Sequence, residues 1–333
     1  MPQVVIRGDG VAAYCCAHLL DRAGFSVQLV AVDRPRLPVI MLSGHALTLI
    51  RDVFERPDLF ENAPRIQKRI VAWGPGSQPA SLDHSAVVVG EEQLLAELRP
   101  ALTQRDRLSG EAAWTIYASR PLPFPVTEHR FGSRIASAVP VALSADADPR
   151  ACLIESLDHG WLFLISNSPT TAWLLAVGDS ARSLLDQSRV VSGQIGAADP
   201  PAAEFPAYPR IISALCAPGW LACGTAAMAF DPICGDGTAH AVREAILAAA
   251  VIRSVAKHGN RADVLSHYEA RLIAGFQRHL AHSREFYRSG GDSPWWREEL
   301  DGIERGFQWC ESRLGGDFNF RYQLRDFELE AVK

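Results

Sequence analysis

The chain has 333 residues and a formal net charge of −5 at pH 7, with 48% hydrophobic and 21% charged residues. This length gives about two domains and a large core, and the composition excludes disordered, collagen-like and coiled-coil proteins. The acidic balance provides no basic surface for nucleic acid, so nucleic acid is not expected as a partner.

The first predicted unit is a strand, a turn, a helix and a second strand. Residues 4–6 form a short buried strand, residues 8–10 form the turn, and the small or apolar face of residues 11–22 indicates a helix. Gly24 ends this helix, and residues 26–32 form the second strand. Such a unit is typical of the first half of a doubly wound α/β fold.

Further elements follow in chain order. The next ones predicted are a helix over 46–54, a Gly/Pro/Ser stretch over 74–81, a strand over 86–89, a helix over 91–102 and a strand over 112–118. Residues 130–192 alternate in strand fashion between turn signals, which predicts an inserted antiparallel sheet. The α/β signal returns at residues 220–223, and a helix is predicted over 238–257. The tail from residue 262 is predicted to be helical to the chain end, with an interruption at 290–294.

The cysteines and the lengths of the apolar runs indicate in which cellular compartment the protein is expected. The seven cysteines are odd in number and lack paired or metal-ligand spacing, so reduced thiols and no metal site are expected. Every apolar run is shorter than the roughly 18–20 residues of a membrane span, and no signal peptide is recognisable. These features predict a cytoplasmic protein without a membrane span.

Glycines and a small residue form a Gly-x-Gly-x-x-Ala pattern, Gly8, Gly10 and Ala13, between the first strand and the first helix. In a dinucleotide fingerprint the first glycine makes the turn, and the second lets backbone amides approach a pyrophosphate. The third small residue permits close packing of helix on strand. The pattern therefore predicts a dinucleotide cofactor whose phosphates lie at the start of this helix.

The end of the second strand normally supplies an acidic residue that binds the ribose. A closely spaced fingerprint would place this acid at position 31, where the chain has Ala31. Asp33 is the candidate, either as a ligand or as a turn-capping residue. Its neighbour Arg34 is an alternative contact.

A second glycine-rich stretch, residues 219–238, reads Gly-Trp-Leu-Ala-Cys-Gly-Thr-Ala-Ala-Met-Ala-Phe-Asp-Pro-Ile-Cys-Gly-Asp-Gly-Thr and leads into a long helix. It resembles the FAD-dependent monooxygenases and halogenases of the p-hydroxybenzoate-hydroxylase fold. The tryptophan-halogenase-like branch in particular has a similar run from Gly-Asp-Ala-Ala through Asp-Pro to Gly-x-Gly. Residues 159–163 (His-Gly-Trp-Leu-Phe) are similar to that branch's Asp-Gly-Trp strand, and residues 293–297 to its Pro-Phe-Trp segment.

The resemblance covers most of the chain and implies an α/β fold in three parts. These are a Rossmann-like FAD-binding domain with a doubly wound, mostly parallel sheet, an inserted antiparallel substrate sheet and a C-terminal helical region. The predicted ranges are 1–60, 86–120 and 205–258 for the discontinuous FAD-binding domain, 61–85 and 121–204 for the substrate sheet, and 259–333 for the helical region.

The same resemblance implies the FAD contacts. Those near the pyrophosphate are Gly8, Gly10, Val11 and Ala13, those near the ribityl phosphate are Gly224 and Thr225, and those near the isoalloxazine are Asp231, Pro232, Gly235, Gly237 and Thr238. Free amides where this last loop enters its helix suit an anion. Thr225 stands where the family usually has an aspartate, and it brings no charge. A readily exchanged flavin is therefore expected.

The implied activity is hydroxylation of an aromatic, indole-like or phenolic, substrate by an FAD-dependent monooxygenase through a flavin hydroperoxide. The substrate is a small molecule or a tryptophan in a partner protein, as for the flavoproteins that mature cysteine tryptophylquinone oxidases. Candidate catalytic residues are His45, which follows Gly44 in a segment expected along the flavin, and His240, at the start of the long helix. No second fingerprint is visible, so the electron source is NAD(P)H that docks transiently or a separate flavin reductase.

Two alternatives stay open. A flavin halogenase needs a lysine between flavin and substrate, and Lys68 is the lysine that could serve. The chain lacks the halogenase run Trp-x-Trp-x-Ile-Pro and has Trp-Leu-Phe-Leu-Ile-Ser at residues 161–166 instead. The departures at Ala31 and Thr225 allow a degenerate flavoprotein that binds a ligand or partner without turnover.

Overall fold

The computed structural model describes residues 3–103, 112–257, 259–315 and 320–332. Its strands are β1 Gln3–Arg7, β2 Ser26–Val30, β3 Ile40–Ser43, β4 Arg65–Ala72, β5 Ala80–Val89, β6 Trp114–Tyr117, β7 Thr127–Arg130, β8 Ile135–Leu143, β9 Ala151–Leu157, β10 Gly160–Ser166, β11 Thr171–Gly178, β12 Ile195–Ala198, β13 Ala203–Pro206, β14 Arg210–Ser213, β15 Cys216–Ala217, β16 Trp220–Ala222, β17 Met228–Ala229, β18 Tyr322–Arg325 and β19 Glu328–Ala331. Its helices are α1 Val11–Arg22, α2 Gly44–Phe54, α3 Glu91–Leu98, α4 Ala181–Gln187, α5 Gly224–Ala227, α6 Gly237–Ala256, α7 Arg261–Gly290 and α8 Pro294–Leu314. Short 3₁₀ turns cover Ser192–Gln194 and Pro232–Cys234.

The first sheet has five strands in the order β15-β16-β6-β1-β2. Strands β16, β6, β1 and β2 are parallel, and β15 is antiparallel to β16. Val4 and Ile6 of β1 are fully buried, and α1 and α6 pack against each other beside the sheet. This is the Rossmann-like half of the predicted fold, with the chain returning to it at β16 as expected.

The second sheet has nine strands, with the order β12-β8-β11-β10-β9-β4-β5-β3 and β13 paired to β8. All its pairs are antiparallel except β4–β9. One face, including Phe163 and Ile154, joins the main core, while Leu162 and Leu164 on the other face form a second apolar cluster with α4. The sheet also takes in β3 and the end of β5, which lie in segments predicted to belong to the FAD-binding domain. A small third sheet has the order β17-β14-β7.

The C-terminal part consists of two long helices and a hairpin. Helices α7 and α8 pack against each other, and the break expected at 290–294 lies between them. The prediction that the tail is helical to its end is wrong for Tyr322–Ala331, because β18 and β19 pair there as an antiparallel hairpin. The hairpin packs on α6, where Lys257 Nζ donates to Glu328 Oε2 at 2.9 Å. Within the described ranges, no helix has the length and apolar content to span a membrane.

Candidate functional site

Two glycines shape the turn between β1 and α1. Gly8 has φ of 137°, and a Cβ there would lie 2.7 Å from the Ser119 hydroxyl oxygen, so only glycine fits this position. Gly10 is the N-cap of α1 and makes no side-chain cap hydrogen bond, and the first turn holds no acidic residue. Val11 and Ala13 are buried beneath the turn. None of the described side chains therefore caps the first N–H groups of α1, an arrangement that suits an anion.

Paired charges surround this turn. Arg36 Nη2 donates to Asp9 Oδ2 at 2.5 Å, and Arg34 Nη1 donates to Glu91 Oε2 at 3.2 Å. Arg34 Nη2 also lies 3.2 Å from the position that a Cβ on Gly10 would take. The missing side chain at Gly10 thus lets a guanidinium group lie over the start of α1, while two carboxylates balance the two arginines.

The second glycine-rich loop, at the start of α5, packs directly on α1. Gly224 has φ of 55°, and a Cβ there would lie 2.9 Å from the Ala12 Cβ and 3.1 Å from the Ala118 carbonyl oxygen. Thr225 is exposed, and its hydroxyl donates to the Ala118 carbonyl at 3.4 Å. Glycine at 224 therefore sets how closely the two loops approach each other.

A buried carboxyl group supports this loop from below. Glu244 of α6 is 5% exposed and accepts the Gly224 N–H at 2.6 Å through Oε2. Its Oε1 has no hydrogen-bond partner among the described residues. Burial raises the pKa of Glu244 to about 8, opposed by the Gly224 hydrogen bond, so the group carries a proton at neutral pH.

Buried charges hold the third loop, residues 231–238, from below. Asp231 is 2% exposed and accepts hydrogen bonds from Arg134 Nε at 2.7 Å and from the Ile233 N–H at 2.9 Å. Arg134 also pairs with Glu299 of α8. The Asp231 N–H donates to His279 Nε2 at 2.8 Å, and burial lowers the pKa of His279 well below its usual value, so this imidazole is a neutral acceptor. The Asp231 carboxylate is thus engaged in shaping the loop.

The outer side of the same loop is open. Pro232 begins the 3₁₀ turn, and Gly235 follows it with φ of 63°. A Cβ on Gly237 would meet nothing within 4 Å, and the nearest atom to one on Gly235 would be Arg69 Nη2 at 4.0 Å. Helix α6 begins at Gly237, its N-cap Asp236 makes no side-chain cap hydrogen bond, and Thr238 is partly buried in its first turn. Uncapped amides, space and a neighbouring guanidinium group therefore meet at one place.

The two predicted catalytic histidines have different surroundings. His240 stacks on Phe230 with ring centroids 4.0 Å apart, and its Nε2 lies 3.6 Å from Asp236 Oδ2. Burial lowers the pKa of His240 to about 4, although Asp236 opposes the shift. His45 is the second residue of α2 and is exposed. At neutral pH His240 is thus an uncharged, packed ring, whereas His45 is free to meet solvent or a ligand.

Strand β4 carries two neighbouring cations on opposite faces. Lys68 is exposed, whereas Arg69 lies opposite Cys152 of β9, which belongs to the main core. The Arg69 guanidinium carbon lies 5.9 Å from the centre of the Phe163 ring, and Nη2 lies 3.5 Å from His84 Nε2. Because strand side chains alternate, the cation that reaches the loop before α6 is Arg69.

No family model and no curated protein sequence matches the chain. Among solved structures, it is similar to QhpG, described as a peptidyl tryptophan dihydroxylase essential for tryptophylquinone cofactor biogenesis, with 22% identity over 99% of this chain and 86% of that chain and a TM-score of 0.74. The flavin-dependent halogenase CmlS matches with 18% identity, 93% and 70% coverage and a TM-score of 0.74. HpxO of Klebsiella pneumoniae, complexed with FAD, matches with 14% identity, 94% and 99% coverage and a TM-score of 0.60. The chain has the fold of the FAD-dependent monooxygenases and halogenases. The resemblance and fold class inferred from the sequence are confirmed at this level.

The three loops of this monooxygenase-type fold are compatible with FAD. Gly224 lies against Ala12, near the start of α1, and donates to Glu244, about two turns into α6, so the first two turns of both helices lie beside this loop. Gly8 and Gly224 leave room only for backbone, and the space beside Gly237 is free. Amide donors, one guanidinium group at Arg34 and close backbone approach are what a pyrophosphate and a flavin ring require.

The remaining predicted contacts lie as follows. Asp33 is exposed and forms no ion pair with any described residue, whereas Arg34 reaches the first turn. Arg69 and His84 were not predicted from the sequence. The available signal was the alternation of side chains between the two faces of a strand, which places Arg69 on the face opposite to the exposed Lys68. Sequence reasoning also missed Arg134, whose partners lie 97 and 165 residues away and leave no local pattern.

Proposed function

We propose that the chain is an FAD-dependent monooxygenase that hydroxylates an aromatic, indole-like or phenolic, substrate. The observation that carries this proposal is the convergence of two uncapped helix starts with the glycine turns at Gly8 and Gly224. The fold shared with QhpG, CmlS and HpxO supports it, since these include a tryptophan dihydroxylase and flavin-dependent enzymes.

In this proposal, each loop has its own part of the cofactor to hold. Gly8, Gly10, Val11, Ala13 and Arg34 bind the pyrophosphate, Gly224 and Thr225 the ribityl-phosphate region, and Pro232, Gly235, Gly237 and Thr238 the ring. When bound and reduced, FAD supplies O₂ activation and the transfer of one oxygen atom to an electron-rich ring. Asp231 keeps the ring-binding loop in shape through Arg134. The uncapped amides of α6 favour negative charge at the loop's open side.

Two observations bear on the reaction. The exposed side chain of Lys68 is on the face of β4 away from the loop, which speaks against the halogenase alternative. Phe163 is 8% exposed and its ring lies beside Arg69, so the side of the sheet that we assign to an aromatic substrate has an aromatic, largely buried wall. QhpG acts on a peptidyl tryptophan, and we extend to this chain the proposal that a tryptophan in a partner protein is one substrate, besides small aromatic molecules.

FAD titration of the purified chain, followed by flavin fluorescence, tests the cofactor assignment. The informative variant is Gly10→Val, because the extended backbone of Gly10 (φ −91°, ψ −176°) accepts valine and only the end of the Arg34 side chain lies near the new Cβ. We expect FAD affinity to fall at least about tenfold, since the side chain blocks close backbone approach. Gly193→Ala, where a Cβ meets nothing within 4 Å, is the matched control. An unchanged affinity in Gly10→Val would place the cofactor elsewhere.

Turnover separates the enzyme from a scaffold protein. The FAD-loaded chain is reduced anaerobically by NAD(P)H, by a flavin reductase or by dithionite, and then mixed with ¹⁸O₂ and an indole or tryptophan peptide. Incorporation of ¹⁸O into the aromatic product is expected, and the reductant that suffices identifies the electron source. A chain that binds FAD, reoxidises and never oxygenates any aromatic would support the scaffold alternative instead.

A further inference from the structure

Arg69 carries a charge that no carboxylate of the described residues neutralises. Its Nε is buried without a hydrogen-bond partner, and no described residue forms an ion pair with it. The other arginines near the loops differ, since Arg34 pairs with Glu91 and Arg134 with Asp231. A partly buried guanidinium group without an anion costs free energy, so this position is suited to an anion supplied from outside the chain.

Through its contact with His84, Arg69 forms a pair of side chains that can only donate further hydrogen bonds. A guanidinium group can only donate hydrogen bonds, so His84 Nε2, 3.5 Å from Arg69 Nη2, is the acceptor and the proton is on Nδ1. Burial, reinforced by the Arg69 charge, lowers the pKa of His84, which keeps the ring neutral. The pair therefore offers free N–H groups and no free acceptor on these two side chains.

The surroundings indicate what kind of anion fits. The Phe163 ring centre lies 5.9 Å from the Arg69 guanidinium carbon, and Arg69 Nη2 lies 4.0 Å from the position that a Cβ on Gly235 of the ring-binding loop would take. His84 also lines a cavity of about 470 Å³ between the start of β4 and residues 83–86 of β5, so one member of the pair faces an open space. Asp83 lines the same cavity, but it is exposed and forms no ion pair with Arg69.

We infer that Arg69 and His84 form a subsite for the carboxylate of an aromatic substrate, whose ring packs on the Phe163 side. The inference deepens the proposed function and rests on it, because the carrier of the carboxylate is the molecule to be oxygenated. The carboxylate comes either from a free aromatic acid or from an acidic side chain next to a tryptophan in a polypeptide.

Calorimetry on the cofactor-free chain tests the subsite with two matched pairs of probes. The first pair is indole-3-acetate and its neutral amide, and the second is N-acetylated Trp-Asp and Trp-Asn amides. We expect the acid to bind about tenfold or more tightly than its amide, because charge-assisted hydrogen bonds to arginine are lost in the amide. A preference in the first pair only identifies a free acid as the source, and a preference in the second pair identifies a peptide.

Arg69→Met removes the charge and nearly keeps the volume, and we expect it to bind acid and amide equally. Arg150→Met, which removes an exposed arginine near the start of β9, is the control and keeps the preference. Equal binding of acid and amide by the unaltered chain would overturn the subsite. Loss of oxidised-FAD affinity in Arg69→Met would also overturn it, because the anion would then belong to the cofactor. If the unaltered chain binds no FAD but still prefers the acid, the proposed function fails while the subsite stands.

Discussion

The turn before α1 and the loop before α6 are both uncapped helix starts, but their charges are arranged differently. Around the first turn, Arg34 and Arg36 are each matched by a carboxylate within the chain. At the second, Arg134 is matched below the loop by Asp231 and Glu299, while Arg69 above it is unmatched. An anion at the first turn would therefore share Arg34 with Glu91, whereas an anion at Arg69 would meet no competing carboxylate among the described residues.

Removing Arg134 from its ion pairs with Asp231 and Glu299 has the largest expected effect on stability. Arg134→Met leaves two carboxylates buried without a cation, and we expect a loss of about 3–5 kcal/mol in the free energy of unfolding, measured by urea denaturation. Adding Asp231→Asn and Glu299→Gln removes the uncompensated charges and should restore part of the loss. A stability unchanged in the single variant would show that this ion-pair network does not hold the loop.

Glu244, which supports the loop at Gly224, makes the free energy of unfolding depend on pH, with an expected effect slightly smaller than that of Arg134→Met. Its folded pKa of about 8 lies above the unfolded value of 4.5, so its stabilisation is complete below pH 4.5 and is lost as the pH rises towards 8. Between pH 5 and 7 this amounts to about 3 kcal/mol from this group. Glu244→Gln should remove that part of the pH dependence of urea unfolding. An identical pH profile in both proteins would mean that Glu244 is ionised in the fold.

Changing the charge around the turn before α1 tests whether the carboxylates that pair with its arginines weaken FAD binding. Asp9→Asn leaves Arg34 and Arg36 with a net positive charge, as at the second helix start. We expect FAD to bind about threefold to tenfold more tightly at low salt, because phosphate meets less repulsion. FAD titration at low and high salt measures this. Weaker binding would instead show that Asp9 is needed to hold the arginines in position.

Lys68 should show the smallest effect. Its exposed side chain forms no ion pair with a described residue, so Lys68→Met should change the free energy of unfolding by less than about 0.5 kcal/mol. FAD affinity should also stay the same. If the unaltered chain incorporates halide into an aromatic and Lys68→Met does not, the halogenase alternative would replace the monooxygenase proposal.

The sequence predicted those parts of the fold that depend on local patterns. Gly8, Gly10 and Ala13 indicate a strand-turn-helix unit because each occupies a position where a larger side chain would block the turn or the packing of helix on strand. The tail hairpin was missed because its turn has positive φ at Asp326 and Phe327, where Asn-Gly would have been the recognisable signal.

The site was less predictable, because its charges act across the fold. The choice between Lys68 and Arg69 depends on which face of β4 is covered, and that is decided by β9, which lies some eighty residues further along the chain. The contact of Arg134 with both Asp231 and Glu299 depends on three separate segments meeting. Neither relation leaves a trace in neighbouring residues, so only the folded chain reveals it.

Helix α6 joins the candidate site to the chain terminus. Its 20 residues span about 30 Å, with the open loop at one end and Arg253 and Lys257 holding Glu328 of the hairpin at the other. For protein engineering, the last residues are therefore not a neutral place to shorten the chain. A truncation after α8 would uncover one end of the helix whose other end carries the open loop at Gly235 and Gly237.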